Sequence, residues 1–182
     1  MQKPDTRNRT AILWILTFVY MFNFIDRQII SSLSDLIQKD LSLTDFQMGL
    51  LKGFAFALLY TLVGIPIAWL ADRFNRKKII ATSLAAWSGF TAVTGMTHSW
   101  AAILAARVGV GIGEAGGSPP SHSIISDLYP KEKRSSALGI YSLGIPFGIA
   151  FSYILAGMLV AEFGWRGTLK ILGGSGILVA FV

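Results

Sequence analysis

The sequence contains no cysteine. Disulfides, thiolate metal sites and thiol nucleophiles are therefore excluded. Histidine is nearly absent too: His98 and His122 are the only two, too few and too far apart to gather a metal cluster. Charge is the third scarcity, at 14% of residues, where a soluble domain carries about a quarter. What replaces it is apolar, since 53% of the 182 residues are hydrophobic and 19 are glycine. That balance points to lipid rather than to a water-borne core. The net charge of +6 invites a nucleic-acid reading. The basic residues, however, stand in short clusters between apolar runs, which fits the loops of a membrane protein and not a phosphate-binding face. No nucleic-acid partner, metal or cofactor is expected.

The polar N-terminus, residues 1–9, precedes 16 uncharged residues, Thr10–Ile25. A signal peptide would begin in the same way, but Asp26-Arg27 interrupt the run and no small-residue cleavage site closes it. Crossing a bilayer takes about 20 residues. The first helix is therefore expected over 10–33, carrying both charges into the membrane, with a surface helix ending at Ile25 as the alternative. Ser34–Leu43 reads as a polar connection, and Thr44-Asp45-Phe46-Gln47 as a capping box that opens a second helix over 46–71. The 28 uncharged residues Ile79–Ala106 are too many for one span and divide at Gly95–Ser99, giving helices 79–96 and 100–128. Ser118-Pro119-Pro120 marks a break or bend in the latter. Helices 135–161 and 168–182 follow across a loop at Glu162–Gly167. The last stops in the middle of an apolar run, so the chain reads as a piece of something longer.

Lys3, Arg7 and Arg9, then Arg73, Arg76, Lys77 and Lys78, then Lys131, Lys133 and Arg134 make up ten of the 16 basic residues. By the positive-inside rule the N-terminus and both basic loops are cytoplasmic. The expectation is an all-α, multi-pass protein of a bacterial inner (cell) membrane.

Four charges remain at depth. Asp26 lies about 24 Å along the first helix, and Arg107 and Glu114 about 10 and 21 Å along the fourth from the opposite side. Arg107 and Glu114 are seven residues apart, about two turns, so they share a face. A charge at bilayer depth costs roughly 3 kcal/mol on insertion scales and normally faces a partner or a wet cavity. An Asp26–Arg107 pair is reasonable if helices one and four touch, and Arg27 can reach Glu114 or a substrate headgroup. The expectation is that Glu114 carries a proton as helix movements change the influence of Arg27 or Arg107. The plainer alternative is ion pairs that only brace the bundle. Gly111-Ile-Gly113-Glu-Ala-Gly116 also reads as a dinucleotide fingerprint, but it lacks the flanking strand and soluble helix. Gly109, Gly113 and Gly117, spaced by four, read better as a close helix contact.

Ala68-Trp-Leu-Ala-Asp72-Arg73-Phe-Asn-Arg76-Lys77-Lys78 resembles the loop signature of the major facilitator superfamily. The family form has glycine where this chain has Ala68 and Asn75; asparagine tolerates left-handed backbone angles, so the turn is expected to survive. Asn23-Phe-Ile-Asp26-Arg27, Arg107-x3-Gly-x-Gly-Glu114-Ala, Ile125-Ser-Asp-Leu-Tyr-Pro130 and Gly164-Trp-Arg166 resemble the spinster-like branch. The resemblance implies the N-terminal six-helix half of the fold, its sixth helix truncated, with a C-terminal half absent here. It implies proton coupling at Asp26 and Glu114, and a cytoplasmic gate latched by Asp72, Arg73 and Arg76, against the plain alternative of an anchor cluster. Arg27 and Arg107 are expected to bind an acidic headgroup or to pair charges. The expected activity is proton-coupled secondary transport by alternating access. The expected substrate is a lysolipid-like or other amphipathic organic anion, within reach of membrane lipids, or alternatively a small organic acid. A non-transporting helix bundle or assembly partner is the reading from another class, and an enzyme is not expected.

Overall fold

The computed structural model describes residues 8–54, 62–67, 69 and 73–181; among these it is helical with no strand. α1, Arg9–Ser32, is 24 residues long, about 36 Å at the helical rise. After Leu33 comes α2, Ser34–Asp40, where the sequence suggests a polar connection. Its helicity has two causes. Ile37 is fully buried in one apolar cluster with Ile30 and Leu33, and Asp35 and Lys39 occupy the first and last turns, where they complement the helix dipole. α3, Asp45–Gly49, opens on reciprocal bonds: Gln47 N–H to Thr44 Oγ1 at 3.2 Å and Thr44 N–H to Gln47 Oε1 at 2.9 Å. It runs directly into a π-helical turn, Leu50–Phe54.

α4, Arg76–Thr94, takes its basic residues into its own first turn. Asn75 caps it, accepting from Lys77 N–H at 3.0 Å and Lys78 N–H at 3.3 Å. Its φ of −67° and ψ of 108° are extended, so the left-handed turn expected there is not used and the side chain acts as a cap instead. α5, Trp100–Glu114, begins on Ser99, whose Oγ accepts from Ala102 N–H at 3.3 Å. α6, Ser118–Leu128, has its two prolines in the first turn, where the missing N–H groups would have lacked partners anyway. The prolines start this helix rather than bend it. α7, Lys131–Ser142, likewise absorbs basic residues expected in a loop. α8, Gly144–Ala180, holds no loop at Glu162–Gly167 but a single break at Gly164, φ 60° and ψ 179°, a backbone state open to glycine and strained for other residues. The chain reverses there: Gly148 lies against Phe24, Arg166 reaches Asp40 at the far end of α2, and Gly176 has returned to the level of Phe22.

Two apolar clusters hold the bundle. One joins Ile29, Ile30, Ile37, Met48, Ile103 and Leu169, and the other Leu13, Leu84, Trp87, Val110, Ile125 and Tyr141. Along α1 the residues between them are 21–28, and along α5 Arg107 sits between Ile103 and Val110, with Glu114 one turn past Val110. The polar band at mid-depth is thus sandwiched between apolar layers. Close glycine contacts set its spacing. A Cβ on Gly113 would lie 2.7 Å from the Trp87 amide nitrogen, and one on Gly173 would lie 2.4 Å from both Ala92 N and Ser88 O. Those atoms are backbone and cannot step aside. Gly173→Ala therefore drives α8 off α4, at a cost of about 1–3 kcal/mol, read as a lower Tm in lipid or detergent. Gly157→Ala, where nothing lies within 4 Å, leaves Tm unchanged or raises it.

Candidate functional site

Asp26 and Arg27 on α1, Thr91 on α4, and Arg107 and Glu114 on α5 meet in the polar band. Consecutive residues on a helix diverge by about 100°, so Asp26 and Arg27 face different partners. Asp26 turns toward α4 and α5. Its Oδ1 accepts a hydrogen bond from Thr91 Oγ1 at 2.5 Å, and its Oδ2 lies 3.7 Å from Arg107 Nη1. Arg27 turns to Glu114, donating to Oε2 from Nε at 3.2 Å and from Nη2 at 2.9 Å. The Phe24 ring lies 5.2 Å beneath its guanidinium.

Burial separates the two arginines. The Arg107 side chain is 5% exposed and the Arg27 side chain 33%, while Glu114 is 0%. Arg27 alone of the four presents a substantial polar surface outside the bundle. The inner groups are incompletely bonded: among the described residues, Asp26 Oδ2, Glu114 Oε1 and the Arg107 Nε and Nη1 atoms have no hydrogen-bond partner. Unmet buried donors and acceptors of this kind are costly. A cavity of about 10 Å³ adjoins Asp26 and is lined also by Phe22, Ile25, Trp87, Ser88 and Leu172.

The basic end carries a second set of contacts. Of the loop residues singled out by sequence, Asp72 lies outside the described residues. The Arg73 guanidinium covers the Trp69 ring at 3.9 Å, and Arg76 on α4 pairs with Asp127 on α6. Arg134 on α7 donates to the Ser126 carbonyl at 2.8 Å and the Tyr129 carbonyl at 3.4 Å. Asp127 went unrecognised as the partner of Arg76, although it sits in the Ile125–Pro130 motif. Thr91 gave no signal, because one hydroxyl in an apolar span has many innocent uses. At the far end Arg166 donates to Asp40 and to the Thr97 carbonyl at 3.2 and 3.1 Å, another arrangement that composition does not reveal.

The sequence profile of the Major Facilitator Superfamily matches residues 16–182. Among curated proteins, an MFS-type efflux pump of Mycolicibacterium smegmatis is 32% identical over 96% of this chain and 41% of its own length. A "Probable galactarate/D-glucarate transporter" of Bacillus subtilis is 32% identical over 96% of this chain and 40% of its own. The chain thus spans about two fifths of the length of these relatives. Among solved structures, a bacterial homologue of the human lysosomal transporter Spinster, inward-facing and unoccupied, superposes with a TM-score of 0.93 at 39% identity, covering 98% of this chain and 43% of that one. These relatives are transporters and a pump, not enzymes.

Proposed function

This chain belongs to the Major Facilitator Superfamily as a spinster-like member covering the N-terminal half of the fold, and we propose that it is the proton-handling half of a secondary transporter working by alternating access. The observation that carries this reading is the bond between fully buried Glu114 and one-third-exposed Arg27. An anion reaching Arg27 from the open face competes with Glu114 for the guanidinium. Glu114, deprived of its counter-ion in a low-dielectric layer, then takes a proton. Departure of the anion restores the pair and releases the proton. Asp26 relays the same proton behind it, with Arg107 in the role of its charge partner because that side chain is walled in. A proton carried with a singly charged anion makes the step electroneutral, so the pH gradient drives it, at about 1.4 kcal/mol per pH unit.

The substrate is an organic anion, amphipathic in the first reading. Phe24 supports this, its ring setting an apolar surface directly beside the anion-binding guanidinium. A small polyhydroxy acid is the second reading, favoured by the galactarate/D-glucarate relative. The N-terminus and the basic end face the cytoplasm of a bacterial inner membrane. There Arg73, Arg76 and Asp72 form the gate, with Asp127 receiving Arg76. A C-terminal six-helix half completes the path.

The test is accumulation in proteoliposomes holding the chain together with its C-terminal half, under an imposed pH gradient. A radiolabelled lysophosphatidylglycerol and glucarate serve as probes. Gradient-dependent accumulation of the first supports the amphipathic reading and of the second the small-acid reading. Failure of both to accumulate, and of both to dissipate the gradient, returns the charges to a bracing role.

A further inference from the structure

Asp26 is held by a span that the charge pattern does not mark. Thr91 on α4 is fully buried, and its hydroxyl makes the short bond to Asp26 Oδ1, 2.5 Å, while the guanidinium of Arg107 stands off at 3.7 Å from Oδ2. The directional contact to the carboxylate therefore comes from a neutral group, and the cation contributes mainly field. The backbone that carries Thr91 is clamped on two sides. Gly113 of α5 lies on the Trp87 backbone, and Gly173 of α8 lies between Ser88 O and Ala92 N. Thr91 is also β-branched, so its χ1 choices are few. The other groups facing Asp26 are the charges of Arg107, Arg27 and Glu114 and, across the cavity of about 10 Å³, Ser88 of α4 and Leu172 of α8. That space admits about one water.

We propose that Thr91 is a positioning residue for proton exchange at Asp26. A threonine hydroxyl is both donor and acceptor. It donates to the carboxylate, and by rotating its proton it accepts from the carboxylic acid. The same two residues thus stay bonded in both protonation states, and neither helix moves to accommodate the proton. While Asp26 is ionised, the bond to Oδ1 fixes the rotamer that turns Oδ2 to Arg107. The third span, otherwise packing surface, thereby becomes part of the coupling apparatus. This rests on Asp26 being a proton carrier.

Infrared difference spectra of the chain in lipid nanodiscs, titrated with pH, test it, with Asp26→Asn identifying the Asp26 carboxyl band. Thr91→Val keeps the side-chain shape without the hydroxyl; Thr91→Ser keeps the hydroxyl. The expected result is a displaced band in Thr91→Val and a titration midpoint moved by about one pH unit, the excess of the charge-assisted bond to the carboxylate over the neutral bond to the acid. Thr91→Ser retains both wild-type values. Thr91→Ala is measured alongside and behaves as Thr91→Val, so a folding defect in one variant does not decide the matter. A wild-type band and midpoint in the variants lacking the hydroxyl overturn the role of Thr91 alone. A wild-type chain with no titrating band assignable to Asp26 overturns the proton-carrier reading and this proposal with it.

Discussion

Glu114→Gln abolishes accumulation driven by a pH gradient while leaving exchange of substrate across the same vesicles largely intact. Glutamine has the shape of glutamate, and its amide oxygen still accepts from the Arg27 Nε and Nη2 atoms that now bond Oε2 at 3.2 and 2.9 Å. The variant therefore folds and binds. What it lacks is a second protonation state. Translocation continues, but no proton travels with it, and the work of one proton in the imposed gradient, about 1.4 kcal/mol per pH unit, is lost. The steady-state accumulation ratio then falls by about tenfold for each pH unit of gradient, the same energy expressed as a concentration ratio. Counterflow of labelled against unlabelled substrate separates this from simple loss of binding. Wild-type accumulation in Glu114→Gln would remove Glu114 from the coupling step.

Arg107→Ala has the largest effect on stability. Asp26 and Arg107 are 6% and 4% exposed as whole residues, and truncating the arginine leaves a carboxylate in an apolar layer with Thr91 as its remaining bonded neighbour. Breaking one side of a buried pair costs about 3–5 kcal/mol, enough to lower the yield of monodisperse protein sharply. The double variant Asp26→Asn with Arg107→Gln removes both charges and recovers much of that loss. The measurement is thermal unfolding of the three proteins in the same detergent. A loss in the double variant as large as in Arg107→Ala would show that the arginine acts by filling volume.

The helices at both ends of the chain were legible for a simple reason. Uncharged stretches of 16 to 28 residues admit one structure in lipid, where each backbone amide must bond within its own segment. Asp26 and Arg107 could be set at similar depth from the helical rise alone, because two rigid spans leave little freedom in that coordinate. The unpatterned details were not legible. Asn75 looked like a substitute for glycine in a turn and instead caps α4, since φ/ψ depends on how the loop enters the helix. The reversal at Gly164 is shorter than the polar residues around it suggest, because Glu162 and Phe163 stay helical and lie at the surface. Thr91 was invisible because the bond it makes depends on the facing of α4, which Gly113 and Gly173 set from two other helices.

Arg166 binds Asp40, the Thr97 carbonyl and, at 4.2 Å, the face of Trp165. One side chain thereby ties together the outlying tips of α2, α4 and α8. Its guanidinium is 25% exposed and the Asp40 carboxylate 43%, so dissolved ions screen this tie while the buried pairs stay shielded. The ionic strength of the medium bathing that tip thus acts on how firmly α2, the end of α4 and the reversal in α8 hold together, while the ion pairs at the centre are left untouched.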